Sequence, residues 1–160
     1  MENKEQCQQG VSIDVRANGQ VLMMRQSMSS NGLLGGHGNY IKLHINDDDE
    51  VLGGAIRVCL NDKKPDFYMP HMHKEKEAHR AMMNEYLEDR GIKSDNVFYK
   101  GTKSFSVQEY VNDIEYRAGD NSVSGHHPWV KGDPHVVVPQ NVSNTELAQA
   151  MRRTLELCLA

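Results

Sequence analysis

No apolar run in this sequence approaches roughly 18 residues, the length a helix needs to cross a hydrocarbon core, so no transmembrane helix is expected. The opening stretch, MENKEQCQQG, is polar, and no secretory leader is expected either. Cysteine is scarce: Cys7, Cys59 and Cys158 are odd in number and too far apart for a disulfide framework or a zinc pattern, which points to a reducing cytosol. Basic residues are not in excess. Eighteen Lys and Arg face 22 Asp and Glu, a formal net charge of −4 that argues against binding nucleic acid through phosphate neutralisation and mildly favours a basic partner. Aromatic residues make up 6% of the chain, which together with 13 glycines predicts a small core and long loops. The signatures G-x-S-x-G, H-E-x-x-H and C-x-x-C are all missing, which removes the common nucleophile and zinc arrangements.

What is present fits one domain over residues 1–160. Val11-Ser-Ile-Asp-Val15 alternates apolar and polar residues at the period of a half-buried strand. Asn18-Gly19 then predicts a type I′ hairpin turn into Val21–Met24, and Ser27 to Asn39, with four glycines, reads as a loop. Ile41–Ile45 alternates again. The acidic run Asp47-Asp-Asp-Glu50 leads into a helix with Leu52, Ala55, Ile56, Cys59 and Leu60 on one face, and its carboxylates suit a helix N-terminus. Pro65 and Pro70 bound a linker, and Lys74 to Arg90 reads as a helix closed by Gly91.

The second half returns to strands at Val97–Tyr99, Phe105–Val107 and Ile114–Tyr116, followed by a long loop over 118–134. Val136-Val-Val138 reads as a buried strand. Ser143-x-x-Glu146 is a capping box, with Val142 and Leu147 placed as a hydrophobic staple, and opens a last helix. Leu52–Leu60 aligns with Leu147–Leu155, sharing Leu, Ala, Arg and Leu. The chain therefore reads as two similar halves, 11–60 and 97–159, joined by a helical insert over 61–96. The expected fold class is α+β: a mostly antiparallel sheet with helices packed against it.

Three candidate sites emerge from the residue types. His71, His73, His126 and His127 could serve a metal-dependent hydrolase, although no spacing supplies a third ligand, and solvated loop histidines are the more economical reading. The acidic groups Asp47, Asp48, Asp49 and Glu85, Glu88, Asp89 offer a surface for a basic partner. His126 and the single tryptophan, Trp129, lie in the second loop, where Trp129 either anchors an interface or covers the core.

The two helix starts and the stretch from His126-His-Pro-Trp129 to Val138 resemble the immunity proteins of bacterial contact-dependent growth inhibition, the CdiI type. The resemblance spans residues 11–159 in layout and finds nothing to match in 61–96. It implies a cytoplasmic, non-enzymatic protein without cofactor or metal, which binds the C-terminal toxin domain of a cognate CdiA and neutralises it. Such toxins are commonly nucleases, often ribonucleases acting on tRNA. Neither nucleic acid nor membrane is an expected partner, and self-association is left open. The family shares no active site, so the eight candidate residues above come from this chain alone. A binding adaptor for some other partner is the remaining alternative.

Overall fold

The structure, a computed structural model, describes residues 7, 9–64, 66–122 and 129–160. Its centre is a six-stranded sheet, antiparallel throughout, built from β1 (Gln9–Val15), β2 (Gln20–Met28), β3 (Leu34–His44), β4 (Lys103–Glu109), β5 (Asp113–Ala118) and β6 (His135–Pro139) in the spatial order β3-β2-β1-β4-β5-β6. Among the described residues four helices accompany it: α1 (Asp49–Asn61), α2 (Lys76–Arg90), α3 (Asp95–Tyr99) and α4 (Asn144–Leu157). This is the α+β class.

Strand alternation builds the core. Val11, Ile13 and Val15 on β1 and Phe105 and Val107 on β4 point to one face, where Leu52, Ile56 and Leu60 of α1 and Leu147, Ala150 and Met151 of α4 meet them. All but Val15 and Phe105 are completely buried, and each contributes roughly 1.5–3 kcal/mol of hydrophobic stabilisation if large. The opposite face is divided. Leu22 and Met24 of β2 are buried on the side of α2 and α3, where Tyr86 donates to the Gly36 carbonyl and Asp89 accepts from the Tyr40 N–H. Beside them, the β4–β6 half of that face stays partly open, with Val137 52% exposed.

β1 and β4 pair in the middle, with Ser12 opposite Ser106. Each heads an antiparallel meander of three strands followed by a helix; β4 begins 94 positions after β1 (Lys103 against Gln9), and α4 begins 95 after α1 (Asn144 against Asp49). Gly53 lets the two helices touch: a Cβ there would overlap the carbonyl of Asn144 in the first turn of α4.

Several expectations are corrected. Val97-Phe98-Tyr99 is not a strand but the end of α3, where Phe98 packs under the Arg90 guanidinium at 4.8 Å. A short apolar run does not separate helix from strand by its own period, and here packing decides. The glycine-bearing segment 27–39 is mainly strand, with only residues 29–33 turning. Gly35 and Gly36 sit inside β3 because side chains crowd them: a Cβ on Gly35 would lie 2.6 Å from the Met69 sulfur, and on Gly36 2.9 Å from Met24 Cγ. The Asn18-Gly19 turn has positive φ at Gly19 alone, with Gly19 N–H donating to Arg16 O. It is a type I turn closed by a left-handed glycine, not type I′. Val136–Val138 is an edge strand with alternating exposure, not a buried one.

The helix ends follow their sequence signals in two cases of three. Ser143 Oγ accepts from the Glu146 N–H at 3.2 Å, and Glu146 Oε2 accepts from the Ser143 N–H at 2.8 Å, completing the capping box. Gly91, at φ 69°, closes α2 through its N–H to Glu88 O, with Ile92 N–H reaching Leu87 O. The N-cap of α1, Asp48, makes no side-chain cap bond, so the acidic run does not cap this helix as expected. Asp49 and Asp47 instead bind elsewhere.

Candidate functional site

The candidate acidic groups fall beside the edge strand β3. Asp47 accepts from the His44 N–H at 2.9 Å, and Arg152 of α4 donates to Asp49 at 2.8 Å and to the carbonyls of Ile45 and Asp47. Asp48 is exposed. On α2, Asp89 holds the Tyr40 N–H at 2.7 Å and lies 3.7 Å from the Lys42 ammonium, while Glu85 and Glu88 face solvent. Asp47, Asp49 and Asp89 are therefore held in place by the fold. Asp48, Glu85 and Glu88 are the ones presented outward.

The histidines do not assemble a centre among the described residues. His71 and His73 have ring centroids 5.9 Å apart, but His71 Nδ1 accepts from the N–H groups of His73 and Lys74, which commits that nitrogen to the turn. No group of three or more metal-ligating side chains occurs among the described residues. His126 and His127 lie outside them. Of the thiols, Cys59 and Cys158 are buried, and burial pushes all three cysteines above their ordinary range, Cys59 to about 11.

Trp129 is 38% exposed, so it is not a core residue. It bridges to Gly119, and the Arg117 guanidinium lies 4.0 Å from its ring centroid, a cation–π contact. Arg117 is held in turn by a two-pronged pairing with Asp133 at 2.5 and 3.0 Å.

Trp129 forms one wall of a cleft of about 280 Å³ on the open face of the sheet. Tyr99 of α3 stands among its other lining residues, and the floor includes Ser12 and Asp14 of β1 with Ser104 and Ser106 of β4. The register that pairs Ser12 with Ser106 and Asp14 with Ser104 brings these four side chains together. A relay orients the acid: Asn121 Nδ2 donates to Ser104 Oγ at 2.8 Å, and Ser104 Oγ donates to Asp14 Oδ1 at 2.6 Å. Asp14 is 4% exposed, and burial raises its pKa to about 6 against the opposing pull of the Ser104 bond and of Arg90. Ser106 Oγ is buried at the floor without a hydrogen-bond partner among the described residues.

A second polar cluster lies on the helix-covered face. Gln9 Nε2 donates to the carbonyls of Cys59 and Asp62 at the end of α1, its Oε1 accepts from Ser27 Oγ, and Ser27 Oγ lies 2.7 Å from His37 Nε2. Burial lowers the His37 pKa, and because Ser27 gives its proton to Gln9, the contact is satisfied with Nε2 of His37 as the donor. Every group of this cluster is tied to backbone or to its neighbours, which makes it a structural clasp.

Sequence reasoning did not single out Ser12, Asp14, Ser104 or Ser106. A signal existed: they are the polar positions of two alternating strands. Their meeting depends on the pairing of β1 with β4.

With this geometry in view, the comparisons with known proteins decide the family. The family model of CDI immunity proteins, CdiI, matches residues 11–158. The chain belongs to this family. Two solved structures are similar to this CdiI chain. One is a protein of unknown function from Neisseria meningitidis, at TM-score 0.71 and 14% identity, with 99% of each chain covered. The other is in a CdiA-CT/CdiI toxin and immunity complex from Yersinia pseudotuberculosis, at TM-score 0.69 and 15% identity, covering 94% of this chain and 97% of that one. At such identities the likeness establishes the shared fold. Among curated proteins, none matches this chain.

Proposed function

We propose that this CdiI chain binds the C-terminal toxin domain of a cognate CdiA and blocks it, acting by occupancy and not by catalysis. The observation that carries the reading is the family match over residues 11–158, across both meanders and both core helices. The neighbour from Yersinia pseudotuberculosis, found in a complex of toxin and immunity protein, supports the same partner class. The toxin activity we propose is that of a nuclease, such as a ribonuclease acting on tRNA. A nuclease must be basic to hold phosphates, and a chain of net charge −4 with Asp48, Glu85 and Glu88 turned outward complements it. That complementarity raises the association rate more than the final affinity.

The test is co-production of this chain with the toxin domain encoded next to it, with growth and complex formation measured together. Restored growth and a complex at submicromolar concentration are expected. Growth arrest with no complex would overturn the reading, and a complex without rescue would point to an adaptor.

A further inference from the structure

We propose that the cleft floored by Ser12, Asp14, Ser104 and Ser106 receives one cationic side chain, an arginine or a lysine, from the toxin domain; this deepens the immunity reading and rests on it. Four observations converge. Asp14 is the only carboxylate among the described lining residues, and no cationic side chain is among them. Its carboxyl accepts one hydrogen bond among the described residues, from Ser104 to Oδ1, leaving acceptor capacity on a group that takes about four. Ser106 Oγ is buried at the floor and unpartnered among the described residues, and such groups are rare in folded proteins unless a ligand or water completes them. Tyr99 and Trp129 supply aromatic walls, and Trp129 already accepts the Arg117 guanidinium on its ring.

The size selects among occupants. At about 280 Å³ the cleft falls just under the range of roughly 300–1,000 Å³ usual for small-molecule sites, and one long side chain fits it better than a free cofactor. The internal cation near Asp14 is not a competitor. Arg90 is paired with Asp95 at 2.6 Å and packed on the rings of Phe98 and Tyr40. Burial also holds Asp14 in a state that an incoming cation would relieve, a common arrangement at binding sites.

Isothermal titration calorimetry of the full chain with its cognate toxin domain tests this, using Asp14→Asn, which removes the charge, and Ser106→Leu, which fills the floor. Thermal melts establish folding, and Ser106→Ala stands in if the leucine variant does not fold. Asp14→Asn is expected to weaken binding at least tenfold, and Ser106→Leu comparably. Binding within twofold of wild type for both Asp14→Asn and the folded Ser106 variant would overturn the cleft while leaving the immunity reading intact.

If the toxin domain does not bind the wild-type chain at all, it is the immunity reading that fails. The cleft is then decided by the fluorescence of the single tryptophan, Trp129, titrated with N-acetyl-arginine amide. A saturable millimolar response, absent in Asp14→Asn and absent with the norleucine analogue, supports a cation subsite. A flat titration overturns it.

Discussion

Gly53 in α1 lies directly against the backbone carbonyl of Asn144, the first residue of α4, so closely that any Cβ at position 53 would overlap the carbonyl carbon and oxygen. The obstacle is backbone, which cannot rotate away as a side chain would. Gly53→Ala is therefore expected to separate α1 from α4 and destabilise the fold by about 3 kcal/mol or more, at the upper end for overpacking. Gly54→Ala is the matched control. Its Cβ would meet the Asn144 amide nitrogen at 3.7 Å, ordinary contact, and helix propensity predicts a gain of up to about 1 kcal/mol. Urea denaturation of both variants reads the difference.

Asp14 makes the stability of the fold depend on pH. Its folded pKa, about 6, lies above the ordinary value of 3.8, so the folded state holds the proton more tightly than the unfolded chain does. The resulting stability is fully present below pH 3.8 and is lost as pH rises through 6. At neutral pH the buried charge costs roughly 2–3 kcal/mol, taking about 1.4 kcal/mol per unit. Asp14→Asn keeps an acceptor for Ser104 and is expected to raise the melting temperature at pH 7, with little change at pH 4. A variant more stable but weaker in toxin binding is the combined expectation. Thermal melts across pH 4–8 supply the stability half.

Gln9 closes the end of α1 by donating to two carbonyls while accepting from Ser27. Gln9→Ala would take the side-chain donor from the Asp62 carbonyl and leave the Cys59 carbonyl with the Asp62 N–H alone, while Ser27 keeps His37 and the Lys64 N–H. A loss of about 1–3 kcal/mol is expected, the cost of one buried polar group losing its partner. Hydrogen exchange should show the last turn of α1 opening earlier than the rest of the helix. Unchanged exchange there would refute the clasp.

The capping box of α4 is a smaller, exposed feature. Ser143→Ala is expected to cost about 1 kcal/mol and Glu146→Ala less, because the serine oxygen serves the N3 amide directly. Chemical denaturation midpoints should rank them in that order.

Helices α1, α2 and α4 were readable from the amino-acid order because periodicity, a left-handed glycine at position 91 and the Ser143–Glu146 box are local signals. Several of the errors share one cause: packing against residues outside the short run overrides its local pattern. Gly35 and Gly36 look like loop residues until Met69 and Met24 are placed over them, and Phe98 looks like a strand residue until Arg90 covers it. The acidic candidates were visible as a run, but whether each carboxylate faced solvent or held a backbone N–H was not. Asp89 is the clearest example, being consumed by Tyr40 from 49 positions away. The cleft was hidden more thoroughly, because Asp14 and Ser104 are separated by 90 positions and meet only through the β1–β4 register.

That central pairing also has a consequence for synthesis. The ribosome releases β1 long before β4, and the inner edge of β1 waits for the 87 residues from Arg16 to Thr102 that lie between them. At roughly 5–20 residues per second this is on the order of 5–20 s in which the nascent first meander exposes unpaired backbone and half an apolar face. The aspartate at position 14 spends that interval in water, and its burial, with the cleft it floors, is completed only when the second meander arrives.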